Sequence, residues 1–410
     1  MLDAACAQLW NGAVVDSNGR HAICCEMLHG DDDVNIRTHR LSDFCRSEMA
    51  KRLRDQMRRG ERPQECWRCH EKEDSGITSL RQDLNEQYME FNGDLDFDRR
   101  KSLQNLELRF GNACQLSCYM YHPWRSVHVK KFFEKIHNSV SPPNAHICVI
   151  DQREFDWVND DAVWEGIYQD MGDVRRLYVN GGEPLLSKQF DRLLDRLVEN
   201  GLSRQIDLIV STNGMLLEEA HVKKWRQFRH AFVTLSVDAI GQKNGFIRHP
   251  SDWERLLKTY DLAEATNSEY SNVIFRCWGA VSLLNVLHVD EYLNFFRERY
   301  EYLEEPHFQL VQDPVFLSPK ILPREFKEEA LRRVVQFGAD SLAVRMMNQA
   351  LAFEADVPQL TFGLGYIDAY GKHVGKDPRS IFGEFYDVLG RCEEMRGVVA
   401  PILELDDHVR

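Results

Sequence analysis

The pattern of apolar and polar positions changes character near residue 103. Before it, regular alternation is scarce. Helical periodicity shows at 42–60 and again at 78–91, where Leu80, Leu84 and Tyr88 fall on one face. A polar stretch from Asn92-Gly93-Asp94 to Lys101-Ser102 reads as a linker, which sets off residues 1–92 as a separate small domain. Beyond it, short apolar runs at 106–110, 176–180, 206–211, 232–238, 273–281 and 307–311 alternate with helical stretches. Their spacing, mostly roughly 25–40 residues, is what βα units of a parallel sheet or barrel require. The first gap is longer and holds Ser141-Pro142-Pro143-Asn144, so the region 125–170 reads as an insertion. Six such units are too few for a closed eight-stranded barrel. The pattern predicts an α/β protein with an open, partial (β/α)6 barrel over 103–312, whose informative residues lie just after each strand. Residues 313–410 read as a mainly helical C-terminal extension, with turns at Leu317-Ser318-Pro319 and Leu322-Pro323 and a helix over 326–337. Its aromatics Phe362, Tyr366, Tyr370, Phe382, Phe385 and Tyr386 read as core.

Composition adds mainly exclusions. The 410 residues are 43% hydrophobic and 28% charged, with 24 Gly and 13 Pro, which rules out a collagen-like or low-complexity chain. That length supports two or three structural units around a sizeable core. No apolar run approaches the roughly 18 residues of a membrane span, and residues 1–10 lack the basic and apolar regions of a leader. The expectation is a soluble, cytoplasmic protein. Its 51 basic and 65 acidic residues give a net charge of −14, a poor match to a phosphate backbone. The densest basic run, Lys51-Arg52-Leu53-Arg54 through Arg58, Arg59 and Arg62, reads as the solvated face of a helix.

The eleven cysteines change the picture most. Their odd number in a large chain without an export signal points to metal ligands rather than disulfides. Cys45, Cys148, Cys277 and Cys392 are scattered and read as small buried apolar residues. Cys6 and the pair Cys24-Cys25 flank an Asn18-Gly19 hairpin signal. Glu65-Cys66-Trp67-Arg68-Cys69 follows, with Glu73, Gly76, Ser79 and Arg81 after it. Four thiolates spaced in this way suit either a structural zinc ion or an iron–sulfur cluster. Both readings make residues 1–92 a metal-stapled domain.

Past the first predicted barrel strand comes Gly111-Asn112-Ala113-Cys114-Gln115-Leu116-Ser117-Cys118-Tyr119-Met120-Tyr121-His122-Pro123. Asn180-Gly181-Gly182-Glu183-Pro184 follows the second, Ser211-Thr212-Asn213-Gly214 the third, and the fourth reads Leu235-Ser236-Val237-Asp238. This ordered set resembles the radical S-adenosylmethionine (radical SAM) superfamily over about 106–312. The resemblance implies a 4Fe–4S cluster on a Cys-x3-Cys-x2-Cys loop, with S-adenosylmethionine chelated at the open iron and cleaved to a 5′-deoxyadenosyl radical. Cys114 and Cys118 fill the first two ligand positions. Tyr121 stands at the third, where the family has cysteine, and a phenol is a harder ligand than a thiolate. Tyrosinate and imidazole both have precedent on iron, which leaves Tyr121 or neighbouring His122 to complete the site. The other possibility is a homologue without catalysis that acts as a binding or scaffold protein.

By the same resemblance, Gly181, Gly182, Glu183 and Pro184 would hold the methionine amino group. Ser236 and Asp238 match positions that contact its methionine or ribose parts, and Asn213 is either a further cofactor contact or a turn residue. Arg248, in Gly245-Phe246-Ile247-Arg248-His249-Pro250, and Asn285, after Leu283-Leu284, would be SAM or substrate contacts. The N-terminal cysteines resemble the twitch form of the SPASM domain, here ahead of the barrel, an order associated with phage and environmental sequences. That likeness makes Cys6, Cys24, Cys66 and Cys69 ligands of an auxiliary iron–sulfur cluster, with Cys25 the alternative to Cys24. It implies an oxidoreductase acting on a peptide, a protein side chain or a small molecule, with a flavodoxin or ferredoxin as electron donor.

Overall fold

The structure is a computed structural model that describes residues 4–27, 31–44, 46–74, 76–98, 102–123, 125–140 and 155–398. Among the described residues the strands are β1 (Gly12–Val15), β2 (Arg20–Ala22), β3 (Asp31–Asn35), β4 (Asn105–Arg109), β5 (Ser117–Cys118), β6 (Arg176–Asn180), β7 (Asp207–Thr212), β8 (His230–Ser236), β9 (Arg248–His249), β10 (Val273–Val281) and β11 (His307–Leu310). The fold is mixed α/β, with a core of parallel strand pairs and many helices. The six expected apolar runs correspond to β4, β6, β7, β8, β10 and β11. The Pro142-Pro143 signal, Cys45 and Cys148 lie outside the described residues.

The chain divides into two compact units. The first takes Met1–Asn112, Arg153–Val210 and Lys223–Phe232; the second takes Ala113–Gln152, Ser211–Val222 and Val233–Arg410.

In the first unit the strand order is β7-β6-β4-β1-β2-β3. β1 and β2 form the expected antiparallel hairpin, pairing Val14 with Ala22 and Val15 with His21. Its turn is closed by Asp16 N–H donating to Arg20 O at 2.8 Å and Gly19 N–H donating to Asp16 O at 2.8 Å. β1 then runs parallel to β4, Ala13 opposite Leu106 and Val15 opposite Leu108. Successive side chains in a strand point to opposite faces. Leu106 and Leu108, Leu177 and Val179, and Leu208 and Val210 are therefore wholly buried on one side. The opposite side carries Glu107, Arg109, Tyr178 and Asn180. Burying each such Leu or Val stabilises by about 1.5–3 kcal/mol.

A second apolar cluster joins Leu9 and Trp10 to Ala50, Leu53 and Met57 of the helix Glu48–Arg58, with Tyr88 and Phe97. The other face of that helix holds part of the basic run, with Lys51 paired to Glu48 at 2.5 Å and Arg58 to Asp55 at 2.9 Å. It is the solvated face the charge pattern predicts. The helix Leu80–Asn92 starts on a reciprocal Ser79–Gln82 capping box and stops at Gly93 in the left-handed conformation.

The second unit contains β8 from Val233 onward, with β10 and β11, in the order β11-β10-β8, and the two-stranded β5·β9 ladder. β10 and β11 run parallel, Gly279 opposite Phe308. The unit also holds the helices Arg324–Val334, Leu342–Leu351, Val357–Val374 and Gly383–Arg391. Phe362, Tyr366, Tyr370, Phe382 and Phe385 are buried core, as expected, and Tyr386 is half-buried. Cys277 and Cys392 are buried too. Among the described residues no helix is long and apolar enough to cross a membrane.

Candidate functional site

The chain leaves β4 through Gly111, at φ 66°, where a Cβ would lie 2.7 Å from the carbonyl oxygen of Phe155. A side chain there would clash as well as strain the backbone. The loop that follows carries Cys114 and Cys118, which are 7% and 2% exposed. Leu116 packs between these positions, and half-buried Tyr121 packs against all three. Tyr121 N–H donates to Cys118 O at 3.1 Å, which turns the phenol back toward the thiols.

Strand β5 pairs with β9 so that Cys118 faces Arg248 and Ser117 faces His249. Arg248 places Nη1 4.0 Å from Cys118 Sγ. Its Nε lies 2.6 Å from Asp238 Oδ2, and its Nη2 donates to Asp238 Oδ1 at 3.1 Å. Asp238 also accepts from Ala280 N–H at 2.8 Å. Asn285 donates to the backbone carbonyls of Asp238 (2.6 Å) and Ala280 (2.8 Å), and accepts from Ser282 N–H at 2.6 Å. Ser282 in turn hydrogen-bonds the hydroxyl of Tyr119. On the other side Asn213 Nδ2 lies 3.9 Å from Cys114 Sγ, and Asn213 accepts from Gln115 at 3.1 Å. Ser236 ends β8, half-buried. The second unit thus gathers Cys114, Cys118, Tyr121, Asn213, Asp238, Arg248 and Asn285 around one loop.

Burial dominates the acidities here. It pushes the Cys118 thiol up to about 12, and Arg248 acts in the opposite direction. Burial likewise pushes the Tyr121 phenol up to about 12, again opposed by Arg248. His122 points elsewhere, its Nε2 2.7 Å from Asp313 Oδ2.

Two residues that sequence reasoning left as plain core hold this loop. Tyr366 donates its hydroxyl to Tyr119 O at 2.8 Å, and Tyr370 donates to Ser117 O, with Phe246 O 3.4 Å away. Both lie on the helix Val357–Val374, four residues apart on one face, and are 1% and 0% exposed. The only signal was that spacing of tyrosines; nothing in it names the carbonyls they reach. Tyr370→Phe is expected to lower stability by about 1–3 kcal/mol, since it strips a buried carbonyl of its donor. Urea unfolding monitored by circular dichroism measures that loss.

Gly181, Gly182, Glu183 and Pro184 belong to the first unit. Gly181 has φ 82°, and a Cβ there would stand 3.0 Å from the Arg109 backbone, so β4 and the turn after β6 meet only because it is glycine. Glu183 is 2% exposed and accepts from Leu185 N–H at 3.1 Å, capping a short turn that Pro184 opens. Beside it, Glu107 accepts from Arg109 Nε and Asn180 Nδ2, each at 2.9 Å.

Cys6, Cys24, Cys66 and Cys69 line one cleft in the first unit, with Arg81 in the same wall. Burial pushes the thiols of Cys6 and Cys66 up to about 12, while Arg81 draws both down. Arg81 is fixed by Glu73 (2.9 and 2.7 Å) and donates to Ala5 O at 3.0 Å; Ser79 also donates to Glu73. Glu73, Ser79 and Arg81 of the sequence motif therefore form one network behind the thiols. Cys25 does not line the cleft. It sits within electrostatic reach of Glu107 and Arg109, and a hydrogen bond to Cys24 followed by burial holds its thiol well above the usual range. Among the described residues no three His, Cys, Asp or Glu side chains form a ready-made site for a metal ion.

Residues 153–277 match the model of the Radical SAM superfamily. The radical SAM match contains Gly181–Pro184, Asn213, Ser236, Asp238 and Arg248, and begins after the loop that holds Cys114, Cys118 and Tyr121. No curated protein matches the chain. Among solved structures it is similar to anSMEcpe with bound AdoMet and Cp18Cys peptide, at 19% identity and TM-score 0.36, covering 57% of this chain and 58% of that one. It is also similar to Streptococcus suis SuiB bound to precursor peptide SuiA, at 14% identity and TM-score 0.32, covering 75% and 62%. The chain thus covers less than two thirds of either.

Proposed function

We propose that the chain is a radical SAM enzyme whose 4Fe–4S cluster is held by Cys114, Cys118 and Tyr121. The carrying observation is the packing of these three side chains together beside the buried Arg248–Asp238 pair. Two thiols and a phenol supply three donor atoms on one loop; they depart from the family in one donor. His122 is the weaker third donor, because Asp313 engages it. When bound, the cluster supplies the electron that splits S-adenosylmethionine into methionine and a 5′-deoxyadenosyl radical, which removes a hydrogen atom from the substrate.

The residues around it have separate tasks. Arg248 offers positive charge to the Cys118 thiolate, and Asn213 offers an N–H to Cys114. Asp238 and Asn285 tie β10 and the end of β8 into one rigid rim. Ser236 is the proposed ribose contact in the second unit; in the first unit, on the family resemblance alone, Glu183 is proposed as an acceptor for the methionine ammonium, with Gly181 and Gly182 admitting backbone approach. Burial of the loop keeps water from the reacting atoms.

Cys6, Cys24, Cys66 and Cys69 are proposed to hold an auxiliary iron–sulfur cluster in a twitch-like domain, where it would bind substrate or take up an electron. All four side chains wall the same cleft, and Arg81 offsets thiolate charge. A peptide or protein side chain is the proposed substrate, with S-adenosylmethionine as cosubstrate and a flavodoxin or ferredoxin as reductant. The reducing cytoplasm is the proposed compartment, where such thiols stay free.

A second reading rests on Tyr121, whose phenol burial pushes up to about 12. In it the barrel is a binding scaffold that keeps the N-terminal cluster alone. Iron and acid-labile sulfide content separates the two. About eight irons per chain supports the enzyme. About four, lost when Cys66 and Cys69 are changed, supports the scaffold. Bound zinc without absorption near 400 nm overturns both.

A further inference from the structure

We infer that Arg248 is a positioning and tuning residue for the catalytic cluster, acting through the sulfur of Cys118 rather than by contacting S-adenosylmethionine or substrate. The inference rests on the proposed role of Cys114 and Cys118 as cluster ligands.

Three observations converge on it. The β5·β9 ladder sets Cys118 and Arg248 directly opposite each other, so the guanidinium is placed by backbone register, not by a flexible reach. Nη1 lies 4.0 Å from Cys118 Sγ, the range of a weak N–H···S contact. The remaining nitrogens are committed, Nε and Nη2 both lying on the Asp238 carboxylate at 2.6 and 3.1 Å. That two-point grip leaves the guanidinium little freedom to swing toward a ligand.

Asp238 is itself fixed by Ala280 N–H at 2.8 Å and sits 4% exposed, so the pair is anchored to β10. A buried cation at a ligand sulfur stabilises the more negative state of an iron–sulfur cluster, and hydrogen bonds to sulfur are among the factors that set its potential. Removing Arg248 alone would leave Asp238 buried without its partner, a strongly destabilising change.

The test is an EPR-monitored reductive titration of the reconstituted full-length protein, following the signal that disappears in Cys114→Ser. Arg248→Met combined with Asp238→Asn avoids the stranded carboxylate, and Arg248→Lys keeps the charge. The expected result is a shift of that signal's midpoint to more negative potential in the double variant. Arg248→Lys should recover most of it, and the double variant's S-adenosylmethionine affinity should stay within threefold of that of Asp238→Asn alone. An unchanged midpoint, with affinity for S-adenosylmethionine lost instead, overturns the inference and makes Arg248 a ligand contact. An unaltered chain without any Cys114-dependent signal overturns the cluster assignment itself, and this inference with it.

Discussion

Tyr121→Cys is expected to strengthen retention of the proposed catalytic cluster by at least tenfold. A thiolate in place of the phenol restores a soft donor on soft iron–sulfur, and the phenol is held protonated by burial, so its ionisation must be driven by the metal. Even outer partners of a metal ligand command roughly 10–100-fold in affinity, and a direct ligand should command no less. Half-buried Tyr121 packs on Cys114, Leu116 and Cys118, so the smaller cysteine leaves a void; the fold should tolerate it at a cost of a few kcal/mol. The measurement is iron retained through a timed chelator challenge, compared between the two proteins. Equal retention would mean that position 121 takes no part in holding iron.

The largest stability effect is expected from the other thiol set. Changing Cys66 and Cys69 together to serine should unfold the N-terminal part of the first unit, because these side chains and Cys6 and Cys24 wall one cleft. In metal-stapled domains binding energy is folding energy, on the order of 10 kcal/mol for structural zinc peptides. Limited proteolysis should therefore cut the double variant within residues 1–92 while the unaltered, metal-loaded chain resists. Cys25→Ser should match the unaltered chain, since Cys25 lies outside the cleft. Equal resistance of the Cys66/Cys69 variant would mean that the thiols staple nothing.

Much of the fold is legible in the order of residues. Alternation at Leu106-Glu107-Leu108-Arg109 and Leu177-Tyr178-Val179-Asn180 fixes which side of β4 and β6 faces the apolar core, and the Asn18-Gly19 pair fixes the hairpin. Long-range partners were not legible. β1, four residues long, runs parallel to β4 across roughly ninety intervening residues, and a run as short as Gly12-Ala13-Val14-Val15 has no periodicity to announce it.

In the candidate site, residue types and order brought Cys114, Cys118, Tyr121, Asp238 and Arg248 into consideration before any geometry. Their roles depended on geometry. Arg248 aims at a sulfur because β9 pairs with β5, a two-residue ladder that no pattern would reveal. Tyr366 and Tyr370 looked like core because they are core, and their hydroxyls matter only through the carbonyls of Tyr119 and Ser117. Likewise Cys24 and Cys25 are equivalent in sequence, and only the facing of the chain after β2 sends one to the thiol-lined cleft and the other toward Glu107 and Arg109.

The most direct measurement is 5′-deoxyadenosine formation from S-adenosylmethionine by the anaerobically reconstituted, dithionite-reduced chain, run beside Tyr121→Cys and Cys114→Ser. The account predicts product from the unaltered chain, more from Tyr121→Cys, and none from Cys114→Ser. Product from neither the unaltered chain nor Tyr121→Cys, with the cluster demonstrably loaded, would contradict it.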